Sequence, residues 1–298
     1  MGLLVKIYLS FGRVIRIILN MREVYIMMNL IHKVFSLIDW KMNTPTNYGW
    51  FHILSIISMI LVIFLIAKSI KRNPDKVVKK TLIGFTVITL TLEVMKQGLF
   101  THMESGFQWY IFPFQFCSTP MYISLMCLLI KNQKIKEALY SFLAFYGLFG
   151  GFVVMLYPND VFIDWVMIDI QTMIHHGGMV VLGCTLILAN KVKFNFKSLL
   201  KATYVFLVLV ILALIFDFIA YKAGIDGFNM FFISPYGINH LPVLSIIQQN
   251  HHYIVFLLCY VIGFGLAAFI MQKIGYFLNK LYKYLSTYQA NKQKKLNK

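Results

Sequence analysis

The sequence predicts an all-α, polytopic membrane bundle of about seven transmembrane helices with an N-terminal amphipathic extension. Three observations carry that prediction. Apolar residues make up 59% of the 298 positions and charged residues 13%, against roughly 45–50% and about 25% in a soluble domain. Several apolar stretches reach the roughly 20 residues that a helix needs to cross a bilayer. The net charge of +17 is concentrated between and beyond those stretches, where cytoplasmic loops meet anionic lipid headgroups. That distribution lacks the single basic face with aromatic platforms of a nucleic-acid binder, so nucleic acid is excluded as a partner.

Residues 1–47 form the extension: Lys6, Arg13, Arg16, Arg22 and Lys33 interrupt apolar runs at helix-like spacing, the pattern of an interfacial helix, with an ill-ordered extension as the alternative. A transmembrane domain follows over 48–275, and a basic tail over 276–298. The expected spans are Trp50 to about Ile70, Thr81–Phe100, Gln108–Ile130, Ala138–Tyr157, Trp165–Asn190, Ala202–Tyr221 and Tyr253–Met271. The 222–252 connection is too apolar for a solvated loop, so part of it is expected to fold back onto the bundle. Loops 71–80, 131–137 and 191–201 and the tail are lysine-rich, whereas 101–107, 158–164 and 222–252 carry one lysine between them. That alternation predicts a multi-pass protein of the cell membrane with its C-terminus in the cytoplasm. Seven spans then put Trp50 outside, which the basic extension opposes: it lies on the outer surface or contributes an eighth crossing.

Ionisable and polar residues inside spans are costly and tend to be functional. Glu93 and Lys96 fall near the outer end of the second span and Asp217 near that of the sixth. Counted at 1.5 Å per residue from Trp109 and Trp165, Cys117 lies about 12 Å deep and His176 about 16 Å deep. Polar groups from four spans thus share one half of the membrane, as the walls of a cavity would.

Cys117 sits in FPFQFCSTPMY. Pro113 is expected to begin the helix. Pro120, lacking an N–H, is expected to deprive the Phe116 carbonyl of its helical partner. A helix start there stabilises negative charge near the sulfur, and Gln115, Ser118 and Thr119 add donors. The other three cysteines, Cys127, Cys184 and Cys259, read as small buried hydrophobes, and no spacing suggests a disulfide framework or zinc site. In DIQTMIHHGGMVVLGC, Thr172 stacks under His176 and Gln171 under His175, with Asp169 on the same side as His176. A neutral imidazole there can take a proton from a neighbouring thiol. Gly177 and Gly178 are expected to admit a close helix neighbour. Packing histidines and a self-contained Glu93–Lys96 pair are the structural alternatives. For Asp217 the structural alternative is a contact with Lys96 or an indole. His240, His251 and His252 read as interfacial. No metal site and no cofactor are expected.

The pieces Pro113, Gln115, Cys117 and Ser118, then Gln171, His176 and Gly177, then Asn229 with Phe231 and Phe232, and the opening Tyr48–His52 (YGWFH), resemble the YwaF-like bacterial integral membrane proteins. These are similar to the transmembrane protein 164 acyltransferases. The resemblance covers about residues 48–275. It implies a membrane-embedded Cys/His pair that forms a thioester with a lipid acyl chain and passes it to a lysolipid, or to water in a hydrolase. Cys117 would be the nucleophile and His176 the base, with His175 the other possible base. Gln115, Ser118, Gln171, Asn229, Glu93, Lys96 and Asp217 would support the substrate. The implied partners are membrane lipids. A competing class is a non-enzymatic binder or transporter using Glu93, Lys96 and Asp217 in a polar cavity. One disrupted helix around Pro113–Pro120 without a counterpart in the other half argues against a transporter.

Overall fold

The computed structural model describes residues 21–296 apart from 160 and 240; the amphipathic reading of residues 1–20 and the role of His240 lie outside them. Among the described residues, helices α1 (Met21–Phe35), α2 (Trp50–Ile70), α3 (Pro74–Met103), α4 (Thr119–Leu129), α5 (Gln133–Leu156), α6 (Val166–Leu188), α7 (Phe196–Lys222), α8 (Leu244–Asn250) and α9 (Tyr253–Leu296) follow in order. Five of them, α2, α5, α6, α7 and α9, are long and apolar enough to cross a membrane. The chain is a polytopic helical membrane protein.

Helix α6 is the central strut, in contact with α2, α3, α5 and α9. Two thirds of its apolar window is buried (67%), against 6% for α2. Apolar exposure on that scale has no place in water, so α2 faces lipid. Small residues set the spacing inside. A Cβ on Gly151 of α5 would stand 2.6 Å from the His176 carbonyl and 2.8 Å from the Met179 Cβ. Helices α5 and α6 therefore touch backbone to backbone here, the close approach that small residues allow between membrane helices. Of the two glycines expected to admit a close helix neighbour, Gly178 does so, since a Cβ there would stand 3.1 Å from the Phe85 ring of α3, whereas at Gly177 it would find its nearest neighbour at 3.6 Å, an ordinary contact. Around the middle of α5, residues Leu143–Gly147 widen into one π-helical turn. Such turns offset the register of a helix and recur at functional sites.

The third expected span is corrected. Residues 108–118 are not helical along their length: short 3₁₀ turns at Trp109–Ile111 and Phe116–Ser118 flank an irregular stretch. The regular helix begins at Thr119 rather than Pro113 and lasts 11 residues. The physical reason is Pro120, which sits in the first turn, where its missing N–H costs nothing. The Phe116 carbonyl is not orphaned, because the Thr119 hydroxyl donates to it at 2.8 Å. A depth counted at helical rise from Trp109 therefore does not apply to Cys117.

The connection after α7 folds back. Met230, Phe231 and Ile233 are fully buried, and Phe231 packs on Phe116 and Phe206. Phe231 and Phe232 both take left-handed backbone, φ 57° and 56°, a strained state for bulky residues that the surroundings must impose. At the same end of the bundle, α1 lies along α3, its Phe35 ring against Gly98. The segment after α1 pairs with the α5–α6 loop: Met42 N–H donates to Asp164 O and Val166 N–H to Trp40 O, both at 3.0 Å, and Lys41 pairs with Asp164 at 3.4 Å. The described part of the extension thus covers the lysine-poor end. At the lysine-rich end, the Tyr282 hydroxyl on α9 donates to the Ala67 carbonyl of α2 at 2.8 Å.

Candidate functional site

A cavity of about 830 Å³ opens among α3, the irregular stretch before α4, α6, α7 and the loop that follows α7, at the lysine-poor end. Cys117, His175 and His176 line it, as do Gln115, Ser118, Gln171, Asn229, Glu93, Lys96 and Asp217. All the residues singled out in the sequence as catalytic or supporting therefore share one chamber.

The irregular stretch before α4 presents Cys117 on a 3₁₀ turn, partly buried, two residues ahead of the helix start at Thr119. Helix α6 brings the histidines to it. His175 Nε2–H donates to the backbone carbonyl of Cys117 itself at 2.8 Å. That bond fixes the tautomer, because a carbonyl only accepts; the buried His175 Nδ1 has no partner. His176 uses the opposite nitrogen. Its Nδ1–H donates to the Thr172 carbonyl one turn earlier at 2.8 Å, so Nε2 carries the lone pair. The two rings lie 5.3 Å apart between centroids. The i, i+4 relation of Thr172 and His176 is realised through the backbone rather than the threonine hydroxyl. Asp169 takes no part: its Oδ1 accepts from the Ile163 N–H at 3.0 Å and steadies the α5–α6 loop.

The supporting polar groups divide into two kinds. Glu93 and Lys96 pair at 2.8 Å, both largely buried. Gln97 joins them, donating to Glu93 Oε1 and to the Ile111 carbonyl, each at 2.8 Å, while Glu93 Oε2 remains without a partner. Gln97 escaped the sequence reading, although its place four residues after Glu93 on one helix face was a usable signal. Asp217 takes up neither contact of its structural alternative, Lys96 being paired with Glu93. Its Oδ1 accepts from the Met230 N–H at 2.7 Å, because the strained Met230–Phe232 turn needs an acceptor for a fully buried donor; Oδ2 is unpartnered.

Gln115 and Asn229 shape the wall. The Gln115 amide clamps the inserted loop from both sides, accepting from Phe231 N–H at 2.8 Å and donating to Asn229 O at 2.9 Å. The Asn229 side chain in turn ties Ser234 N–H and Ile238 O. At the mouth, Tyr221 and Tyr236 stack with ring centroids 3.7 Å apart. His52, noted in the sequence only as part of YGWFH, is fully buried. It accepts from Tyr48 N–H and donates to Met155 O, both at 2.9 Å, so both ring nitrogens are occupied in joining α2 to the end of α5. Among the described residues, no three His, Cys, Asp or Glu side chains converge to hold a metal ion.

No curated protein and no solved structure matches the chain. The model of the TMEM164 family matches residues 42–272, which span every helix of the cavity. The chain belongs to the TMEM164 family.

Proposed function

We propose that this protein carries out thiol-dependent acyl transfer on membrane lipids, with Cys117 as nucleophile and His176 as base. The observation that carries the reading is the shared chamber. A cysteine, and an imidazole whose tautomer leaves Nε2 as an acceptor, line one cavity, and a second imidazole holds the cysteine's own carbonyl. Family membership adds a lipid-related context. The lysine bias of the loops supports a cavity beneath the external leaflet of the cell membrane, with the C-terminus cytoplasmic.

In the proposed reaction, His176 Nε2 takes the proton from the Cys117 thiol. The sulfur attacks the carbonyl carbon of a lipid ester, forming a C–S bond as the C–O bond breaks. The departing alkoxide of the lysolipid recovers the proton from His176. A second hydroxyl, from an acceptor lysolipid or from water, then gives its proton to His176 and attacks the thioester, releasing the acyl group and restoring the thiol. His175 acts as a positioning residue, holding the backbone that carries the sulfur. Throughout, the acyl tail stays in lipid.

Cys117→Ala is expected to abolish both acyl turnover and labelling by a thiol-reactive lipid probe. His176→Ala is expected to lower turnover by about 10²–10⁴, the usual contribution of a general base. A Cys117→Ala protein that still turns over lipid esters overturns the proposal. The unpartnered carboxylate oxygens of Glu93 and Asp217 in the same cavity favour a second reading, a non-enzymatic binder of a polar ligand. Binding that survives Cys117→Ala but is lost in Glu93→Gln selects that reading.

A further inference from the structure

At the opposite end of the bundle lies a second, larger cavity of about 1050 Å³, at the upper edge of the roughly 300–1,000 Å³ of small-molecule sites. Seven lysines line it. Lys191 and Lys201 pair with Asp75 and Glu137. Lys79, Lys134, Lys136, Lys193 and Lys197 have no acidic partner within 4 Å among the described residues. Seven ammonium groups against those two carboxylates leave a net charge of +5. The first turns of α3, α5 and α7 also reach the cavity, through Asp75, Gln133 and Lys197, and the positive ends of three helix dipoles add to the field.

A loose fringe of loop lysines would be mobile, but this one is held from beneath. On α9, the buried Asn279 amide donates to Ile187 O at 2.7 Å and Asn190 Oδ1 at 3.2 Å, and the buried Gln272 amide donates to Asn195 O at 3.0 Å. The loop that carries Lys191 and Lys193 is therefore anchored at both ends by side chains from another helix. Folding has gathered like charges around a concave space with an apolar floor that includes Val78 and Leu82. Like-charge repulsion opposes that arrangement unless an anion relieves it.

We infer that this lysine-lined cavity binds a phosphate-bearing group carrying at least two negative charges, from a soluble phosphate ester or from an anionic lipid headgroup. The inference is independent of the acyl-transfer chemistry at the other end. The test uses the full chain in nanodiscs of zwitterionic phosphatidylcholine, titrated with pyrophosphate, and parallel nanodiscs containing phosphatidic acid. Saturable binding of pyrophosphate in the zwitterionic discs identifies a soluble ligand; saturable stabilisation by phosphatidic acid alone identifies a headgroup. In either case Lys134→Gln/Lys193→Gln/Lys197→Gln is expected to weaken binding by about tenfold to a hundredfold, up to about fivefold per exposed ion pair. Lys273→Gln/Lys280→Gln/Lys283→Gln removes the same charge outside the cavity and is expected to change binding less than about twofold. Should the first triple variant fail to fold, Lys79→Gln/Lys136→Gln replaces it. Failure of both probes to saturate, or equal losses in the cavity and control variants, overturns the inference.

Discussion

Replacing Gly151 by Ala tests whether the α5–α6 contact positions the histidine. The added methyl would stand 2.8 Å from the Met179 Cβ and 2.6 Å from the His176 carbonyl oxygen. Carbon atoms rest at about 3.5–4.0 Å, so α6 must retreat by about 0.7–1.2 Å, and it carries His176 with it. Overpacking of this kind costs about 1–3 kcal/mol, and the better helix propensity of alanine returns about 1 kcal/mol. The net change in stability is therefore small, about 0–2 kcal/mol. The effect on chemistry is larger, because a 1 Å misplacement of a reacting group costs about a hundredfold. Gly151→Ala is thus expected to melt in detergent within a few degrees of the parent while kcat/KM for lipid acyl turnover falls about a hundredfold. Two controls bracket it. Gly84→Ala meets nothing within 4 Å and Gly177→Ala meets its nearest neighbour at 3.6 Å, so both are expected to keep activity, and Gly84→Ala to gain up to about 1 kcal/mol. A Gly151→Ala enzyme as active as Gly177→Ala would refute the claim that this contact sets the place of His176.

Two further outcomes follow from the hydrogen bonds around the cavity. Gln115→Leu leaves the Phe231 N–H and Asn229 carbonyl unpaired beneath two residues in left-handed backbone, a loss of about 2–6 kcal/mol at about 1–3 per buried group. Hydrogen exchange across 229–234 is expected to accelerate by about thirtyfold or more, and unchanged protection there would show that the clamp is dispensable. His52→Ala removes the partners of Tyr48 N–H and Met155 O in a fully buried position, which costs about 2–6 kcal/mol by the same reasoning. A clear fall in melting temperature, read by intrinsic fluorescence in detergent, is the expected result; a variant that melts with the parent would refute a structural role.

Much of the fold was legible because lipid simplifies the code. With no water to satisfy backbone groups, a long apolar stretch has to be a helix, and α2, α5, α6, α7 and the first part of α9 lie where the hydropathy placed them, α9 running on to Leu296 beyond the expected end at Met271. Position 108–118 was misread for a local reason. Its composition is as apolar as a span, and hydropathy does not register that Pro120 begins a helix rather than breaking one. The order of the cavity was partly visible, since polar side chains inside apolar helices are rare enough to be conspicuous. Their partners were not. That Asp217 holds Met230, that Gln115 clamps Phe231, and that His52 joins two helices depend on contacts between residues 13, 116 and 103 positions apart, which helix periodicity does not relate.

By itself, then, the sequence determined that the chain is a helical membrane bundle with basic loops at one end and a polar group of side chains toward the other, because burial in lipid and charge at its surface are properties of individual residues. Only the tertiary structure decided which nitrogen of each imidazole carries its proton, which glycine sets the approach of α5 to α6, and that seven lysines from separate segments enclose one space. Those depend on where a second helix stands, and that is settled by packing across the whole bundle.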